Sequence, residues 1–214
     1  MANELARRGV HAAGAVVPGL YLAGVVTWDE LRLILLVGAA LAGGLELLRL
    51  VFQVDWWPLD RVFDTLLREY EEDSLAAYAQ YVFGGTITGV VFDPAFAVPA
   101  LLMLTLADPI SGIAGSGELR RVKRPHALLA MFTSSLVLAL AARWIGPATY
   151  EGGVALPELT LFAAVTAAIG ATIADGAKGV FGSIVLDDDL TIPIAAAVAG
   201  WAGYHAPSLV LSVA

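Results

Sequence analysis

Long apolar runs separated by short polar or Pro/Gly-rich breaks divide the chain into about seven segments: His11–Val26, Leu31–Phe52, Leu75–Phe92, Pro94–Gly115, Ala127–Ile145, Leu159–Ala174 and Leu190–Leu211. A bilayer core asks for roughly 17 to 25 apolar residues per helix. Each run reaches or approaches that length, so the pattern predicts transmembrane helices. Arg7 and Arg8 ahead of the short first run also fit a secretory signal, but no small-x-small cleavage site precedes Trp28-Asp29-Glu30. The first run is therefore read as a helix that stays. Between the second and third runs, Asp55 to Ser74 is polar, with Leu59, Val62, Phe63, Leu66 and Leu67 at helical spacing. That segment is expected to lie along the membrane surface, anchored by Trp56 and Trp57. The expected fold class is all-α: a polytopic transmembrane helix bundle of about seven spans, with an interfacial amphipathic helix between spans two and three, in a single integral membrane domain over residues 1–214.

Composition agrees with the pattern. The chain is 58% hydrophobic and 15% charged, with a mean hydropathy of +0.77, well above the usual globular range. It has no cysteine, which excludes disulfides, thiolate metal sites and cysteine nucleophiles. A net charge of -8 with only Lys123 and Lys178 as lysines suggests loops adapted to high salt, and hence a halophilic host. No nucleic-acid partner is expected.

Seven spans put the N-terminus and the loops after spans two, four and six on one side. Ten of the twelve cations fall there, leaving Arg32 and Arg143 opposite. By the positive-inside rule that side is cytoplasmic. The expected location is the cell membrane, with the N-terminus and the reactive loops facing the cytoplasm and its nucleotides.

Ionisable residues inside apolar runs are expensive and therefore informative. Asp108 stands between Leu104-Thr105-Leu106-Ala107 and Pro109-Ile110-Ser111-Gly112, and the proline permits a break in the helix. After it, Ser111, Gly112 and Gly115 offer backbone amides to a phosphate, and Arg120, Arg121, Lys123 and Arg124 offer positive charge. No GxxxxGK[ST] loop occurs, so a glycine-packed helix end above a positive loop accounts equally well for this stretch. Asp187, Asp188 and Asp189 open the last apolar run. Adjacent side chains diverge, so two of them are expected to hold magnesium and the third to cap the helix, while an acidic turn that only caps is the alternative. Asp175 reads as a plain charge at a helix end, with an outer-shell partner of the metal as the alternative. His11 reads as a hydrogen-bonding residue at the membrane surface, and Glu46 with Arg49, one turn apart, reads as a pair that neutralises itself.

These elements occur together and in order. Glu4-Leu5-Ala6-Arg7-Arg8-Gly9-Val10-His11, Arg68-Glu69-Tyr70-Glu71, Leu106-Ala107-Asp108-Pro109-Ile110-Ser111 and, most specifically, Leu186-Asp187-Asp188-Asp189-Leu190-Thr191-Ile192-Pro193 resemble motifs of the polyprenol kinase family. That family groups dolichol kinase and phytol kinase, and is more distantly similar to the phosphatidate cytidylyltransferases. The chain differs where the family has Lys-Ser-x-Glu-Gly-Ser, carrying Lys123-Arg124-Pro125-His126-Ala127-Leu128 instead, and has Asp189 for the family's Asn. The resemblance implies transfer of the terminal phosphate of CTP, with Mg2+, to a polyprenol-like isoprenoid alcohol. It implies Asp187, Asp188 and Asp108 as metal ligands. Asp108, Lys123 and Asp188 would be catalytic, and Ser111, Gly112, Gly115, Arg120 and Arg121 would lie along the nucleotide. A cytidylyltransferase acting on a lipid phosphate and a non-catalytic membrane relative are the alternatives.

Overall fold

A computed structural model describes residues 2–53, 74–115, 123–176, 179–181 and 184–213, with the backbone alone for 2–7, 179–181, 184–186 and 207–213. The expected interfacial helix with Trp56, Trp57, Arg68 and Glu69 lies outside the described residues, as do Arg120, Arg121 and Lys178. The described chain is helical apart from one small hairpin. Its helices are α1 (Ala2–Ala13), α2 (Val16–Leu22), α3 (Trp28–Leu50), α4 (Ala77–Val91), α5 (Pro94–Leu102), α6 (Asp108–Ala114), α7 (Pro125–Ile145), α8 (Leu161–Gly176) and α9 (Asp188–Val213). Strands β1 (Gly179–Phe181) and β2 (Ile184–Leu186) pair antiparallel, Val180 opposite Val185, and carry the chain from α8 into α9.

Among the described residues, three helical stretches are long and apolar enough to cross a membrane: Trp28–Leu50, Pro94–Ala114 and Pro125–Ile145. Such stretches mark an integral membrane protein. They occupy different layers. The apolar window of Pro94–Ala114 is 72% buried, against 17% for α3 and 22% for α7, so Pro94–Ala114 runs through the middle of the bundle. The outer two expose large apolar side chains, among them Leu36, Val37 and Leu41 of α3 and Leu129 and Val137 of α7. In a bilayer this is the face that meets hydrocarbon.

The first apolar run differs from the expectation of one helix. His11 ends up in α1, the chain breaks at Gly14–Ala15, and α2 stops at Leu22. Pro18 is the physical reason: it has no N–H to give the Gly14 carbonyl, which instead accepts from Val17 N at 3.1 Å.

The central span is also interrupted. α5 passes through a π-helical turn, Met103–Ala107, into α6, where Pro109 occupies the first turn. A proline cannot donate to the carbonyl one turn back, and a single wide turn absorbs the mismatch. Its consequence is positional, because the next residue after that turn is Asp108.

The core is made of small residues. Ala163, Ala164, Ala167 and Ala171 of α8 pack with Ala196 and Ala197 of α9 around Met103, Leu104, Met131 and Ile192. With no hydrophobic force between helices in lipid, such close approach supplies the van der Waals contact that holds them. α3 is pinned to α4 by a buried polar knot: Glu46 accepts from Arg49 Nη2 at 2.6 Å, from Tyr78 Oη at 2.5 Å and from Ala76 N at 3.3 Å.

Gly84 of α4 sets the position of the α9 start. A Cβ there would lie 2.9 Å from Asp189 O, Leu190 Cα and Leu190 O, all backbone atoms that cannot swing aside. Gly84→Ala is therefore expected to push the first turn of α9 outward, at about 1–3 kcal/mol of stability. Thermal unfolding in detergent checks the size of that cost, and an unchanged melting temperature contradicts the packing described.

Candidate functional site

Polar side chains from distant parts of the sequence meet at one end of the central span. α1 supplies His11, α6 supplies Asp108 and Ser111, the segment before α7 supplies Lys123, α8 ends in Asp175, and α9 begins with Asp188 and Asp189. The hairpin β1–β2 turns the chain back so that the last turn of α8 and the first turn of α9 lie together.

Lys123 is the hub of one half. Its Nζ lies 3.5 Å from Asp108 Oδ1, 3.5 Å from Asp188 Oδ2, and bonds to Asp175 Oδ1. Asp175 is fully buried and accepts a second bond from the Ser111 hydroxyl at 2.7 Å. Burial on its own would pull the Lys123 ammonium down, but Asp108, Asp175 and Asp188 outweigh it and hold the group above its ordinary value. Lys123 therefore stays charged throughout the neutral range. Its ion pairs contribute fully below the unfolded lysine pKa of about 10.4 and are lost only as pH climbs through the raised value.

His11 is the hub of the other half. Nδ1 lies 3.5 Å from Asp108 Oδ2 and Nε2 lies 3.1 Å from Asp189 Oδ1, so the imidazole bridges two carboxylates from different helices. Its backbone carbonyl accepts the Tyr81 hydroxyl at 3.2 Å, and the two rings stand 4.4 Å apart. Arg8, one turn earlier, donates to the Gly112 carbonyl at 3.2 Å and ties α1 to α6.

Asp108 belongs to both halves. One carboxylate oxygen each from Asp108, Asp175 and Asp188 lie within 4.8 Å of one another, and the same holds for donor atoms of His11, Asp108 and Asp189. The first set offers only hard oxygen donors, the chemistry that magnesium takes. The second includes an imidazole and suits a hydrogen-bonded positioning role as well as a ligand role.

The three consecutive acids point in three directions. Asp187 was expected to hold metal with Asp188. It stands directly before α9: its side chain accepts from Asp188 N at 2.9 Å, its own N–H donates to Gln80 Oε1 at 2.9 Å, and its carbonyl accepts from Leu190 N at 3.2 Å. Asp188 faces Lys123, and Asp189 faces His11. At a helix start the side chains of successive residues project in different directions.

Nor does the Ser111–Gly115 stretch form a cradle of free amides. It is helical, Gly115 N already donates to Ser111 O at 2.8 Å, Gly112 contributes its carbonyl to Arg8, and Ser111 contributes its hydroxyl to Asp175. His126, at the position where the resembling family's pattern has Glu, is exposed on the first turn of α7.

Asp175 and His11 were read from sequence as peripheral, yet both stand at the centre. The available signal was Asp175 itself, a carboxylate directly after Ala168-Ile169-Gly170-Ala171-Thr172-Ile173-Ala174, where a charge without a partner is costly. His11→Ala removes the bridge between Asp108 and Asp189; on the reading proposed below it is expected to slow turnover about 10–100-fold, the usual cost of losing a group that orients its neighbours at a site. Steady-state rates with a parallel melting curve check this; equal loss in rate and stability would reduce His11 to a packing role.

Comparison with protein-family models, with curated proteins and with solved structures finds no match to this chain. The class is thus defined by the fold and the site alone: a helical membrane protein with a carboxylate–lysine–histidine centre at the end of its most buried span.

Proposed function

We propose that the protein is a lipid-alcohol kinase, moving the terminal phosphate of a nucleoside triphosphate, CTP by the sequence resemblance, to the hydroxyl of an isoprenoid alcohol. The observation that carries this reading is the meeting of Asp108, Asp175, Asp188 and Lys123 from four separate parts of the chain. Phosphoryl transfer asks a protein mainly for positioning and for compensation of charge on phosphate oxygens. A cluster of oxygen donors beside an ammonium meets both needs.

Asp108, Asp175 and Asp188 would hold Mg2+, which when bound neutralises and orients the phosphate oxygens. Lys123, charged and already central to the cluster, turns its ammonium to the transferred phosphate. The alcohol oxygen bonds to the γ-phosphorus as the bond to the departing CDP breaks, and the hydroxyl proton passes to Asp108. His11 and Asp189 fix the orientation of that carboxylate from its other side. Arg120 and Arg121, which fall between α6 and α7 in the sequence and outside the described residues, would add positive charge for the nucleotide.

The membrane arrangement follows the same reading. On this reading the seven passes would be α1–α2, α3, α4, α5–α6, α7, α8 and α9. The excess of cations supports a cytoplasmic N-terminus and polar centre, on the side where the nucleotide is.

CTP labelled with different isotopes at the α- and γ-phosphates, incubated with magnesium, a mixed isoprenoid alcohol extract and the purified protein, tests the reaction. γ-label alone in the lipid product supports kinase activity. α-label in lipid, with release of pyrophosphate, replaces it with cytidylyl transfer to endogenous lipid phosphate. Neither label in lipid, at low and high salt, overturns the reading in favour of a non-catalytic membrane protein.

A further inference from the structure

Next to the polar centre, an apolar groove of about 180 Å3 lies between α2, α3, α4 and α5. Pro18, Leu35, Gly38, Val82 and Leu101 form its walls, and Tyr81 closes one end. Its other hydrogen-bonding side chain, Thr105, is turned away, donating to the Leu101 carbonyl at 2.9 Å. Tyr81 is the join between the groove and the polar centre. Its hydroxyl reaches the His11 carbonyl at 3.2 Å and its ring stands 4.4 Å from the imidazole that bridges Asp108 and Asp189. Gly14 permits that approach, because a Cβ there would collide with the Tyr81 hydroxyl. At the rim, Ile34 lines the groove and is 40% exposed, beside the lipid-facing Leu33 and Val37 of the same helix. The groove thus has hydrocarbon at one boundary and the polar centre at the other.

We propose that this groove takes one hydrocarbon chain of a lipid alcohol, entered from the membrane, with the hydroxyl end beside Tyr81 and His11. The inference rests on the lipid-alcohol reading above and specifies what the protein recognises in its substrate. A cavity of about 150 Å3 accommodates one benzene-sized molecule, so the groove encloses roughly the first six carbons of a single chain. The remainder of the chain stays in the bilayer, and the groove has no room for a second chain beside the first. Recognition is then confined to the carbons next to the hydroxyl. Long and short alcohols with the same first carbons are bound alike, and total chain length is not measured.

An alcohol with a photoreactive diazirine near its hydroxyl end, irradiated with the purified protein in detergent, tests this without requiring turnover. The expected label falls on groove residues of α2 and α4, and free alcohols of ten and of fifty or more carbons suppress it equally. Gly38→Leu fills the groove without backbone collision, since a Cβ at Gly38 meets only Val82 Cγ1 at 3.7 Å, and is expected to lower labelling at least tenfold. Val82→Phe obstructs the same space from α4 and gives the same result where Gly38→Leu fails to fold. Label spread over the exposed faces of α3 and α7, label unaffected in both variants, or suppression by two-chain phospholipid as effective as by alcohol overturns the proposal. Phosphate transfer is measured separately on the same preparation. Loss of the kinase reading with specific labelling intact is thereby distinguished from loss of the groove.

Discussion

Asp108→Asn is expected to lower phosphate transfer by about a thousandfold or more while leaving the protein as stable as before. Among the described residues, Asp108 alone belongs to both clusters, with His11 and Asp189 on one side and Asp175 and Asp188 on the other. The substitution keeps shape and removes only charge. Electrostatic groups aimed at a reacting centre are typically worth a factor of ten to the second or third each, and in the proposed mechanism Asp108 would serve as metal ligand, proton acceptor and positioning partner together. Stability should not follow activity. Asparagine relieves repulsion among neighbouring carboxylates, and Lys123 keeps Asp175 and Asp188 as partners. Rates and melting curves on the same preparations separate the two effects. A variant that transfers phosphate at the wild-type rate would remove Asp108 from the chemistry, and one that unfolds would make it a structural residue.

Lys123→Met is expected to cost stability as well as activity. It deletes the ammonium that three carboxylates share and leaves Asp175, which has no exposed side-chain surface, with Ser111 as its described partner. Breaking a buried pair by removing one member costs about 3–5 kcal/mol, or roughly 10 °C in melting temperature for a chain of this size. Transfer is also expected to be lost. Magnesium should restore stability to this variant far more than to the wild type, because the freed carboxylates then take the cation without competition from the ammonium. Equal magnesium-dependent shifts in the two proteins would contradict a cation site at these carboxylates.

The helical membrane character was legible because apolar runs are long and charge is confined to their ends, a pattern that one-dimensional reading captures well. Asp108 and Asp188 were legible for the same reason, being charges where apolar residues dominate. What could not be read was direction. That Asp187 stands directly before α9 while Asp189 turns to His11 depends on where the first turn of α9 begins, which the hairpin and the close contact with Gly84 determine. Asp175 and Ser111 are sixty-four residues apart, and their pairing is a product of α6 lying against the end of α8. The glycine-rich stretch after Asp108 suggested a phosphate loop by composition, but Ser111 to Ala114 continue the helix and use their amides internally. The break between α1 and α2 traces to Pro18, visible in the sequence, whose effect depends on which carbonyl it leaves without a donor.

The most direct test of the central claim, that Asp108, Asp175 and Asp188 form a cation and nucleotide site, is electron paramagnetic resonance of manganese bound to the purified protein with a non-hydrolysable CTP analogue. The account predicts tight manganese binding that requires the analogue for full occupancy, competes with magnesium and disappears in Asp108→Asn. Manganese that binds the variant as well as the wild type, or that does not bind at all, would contradict it.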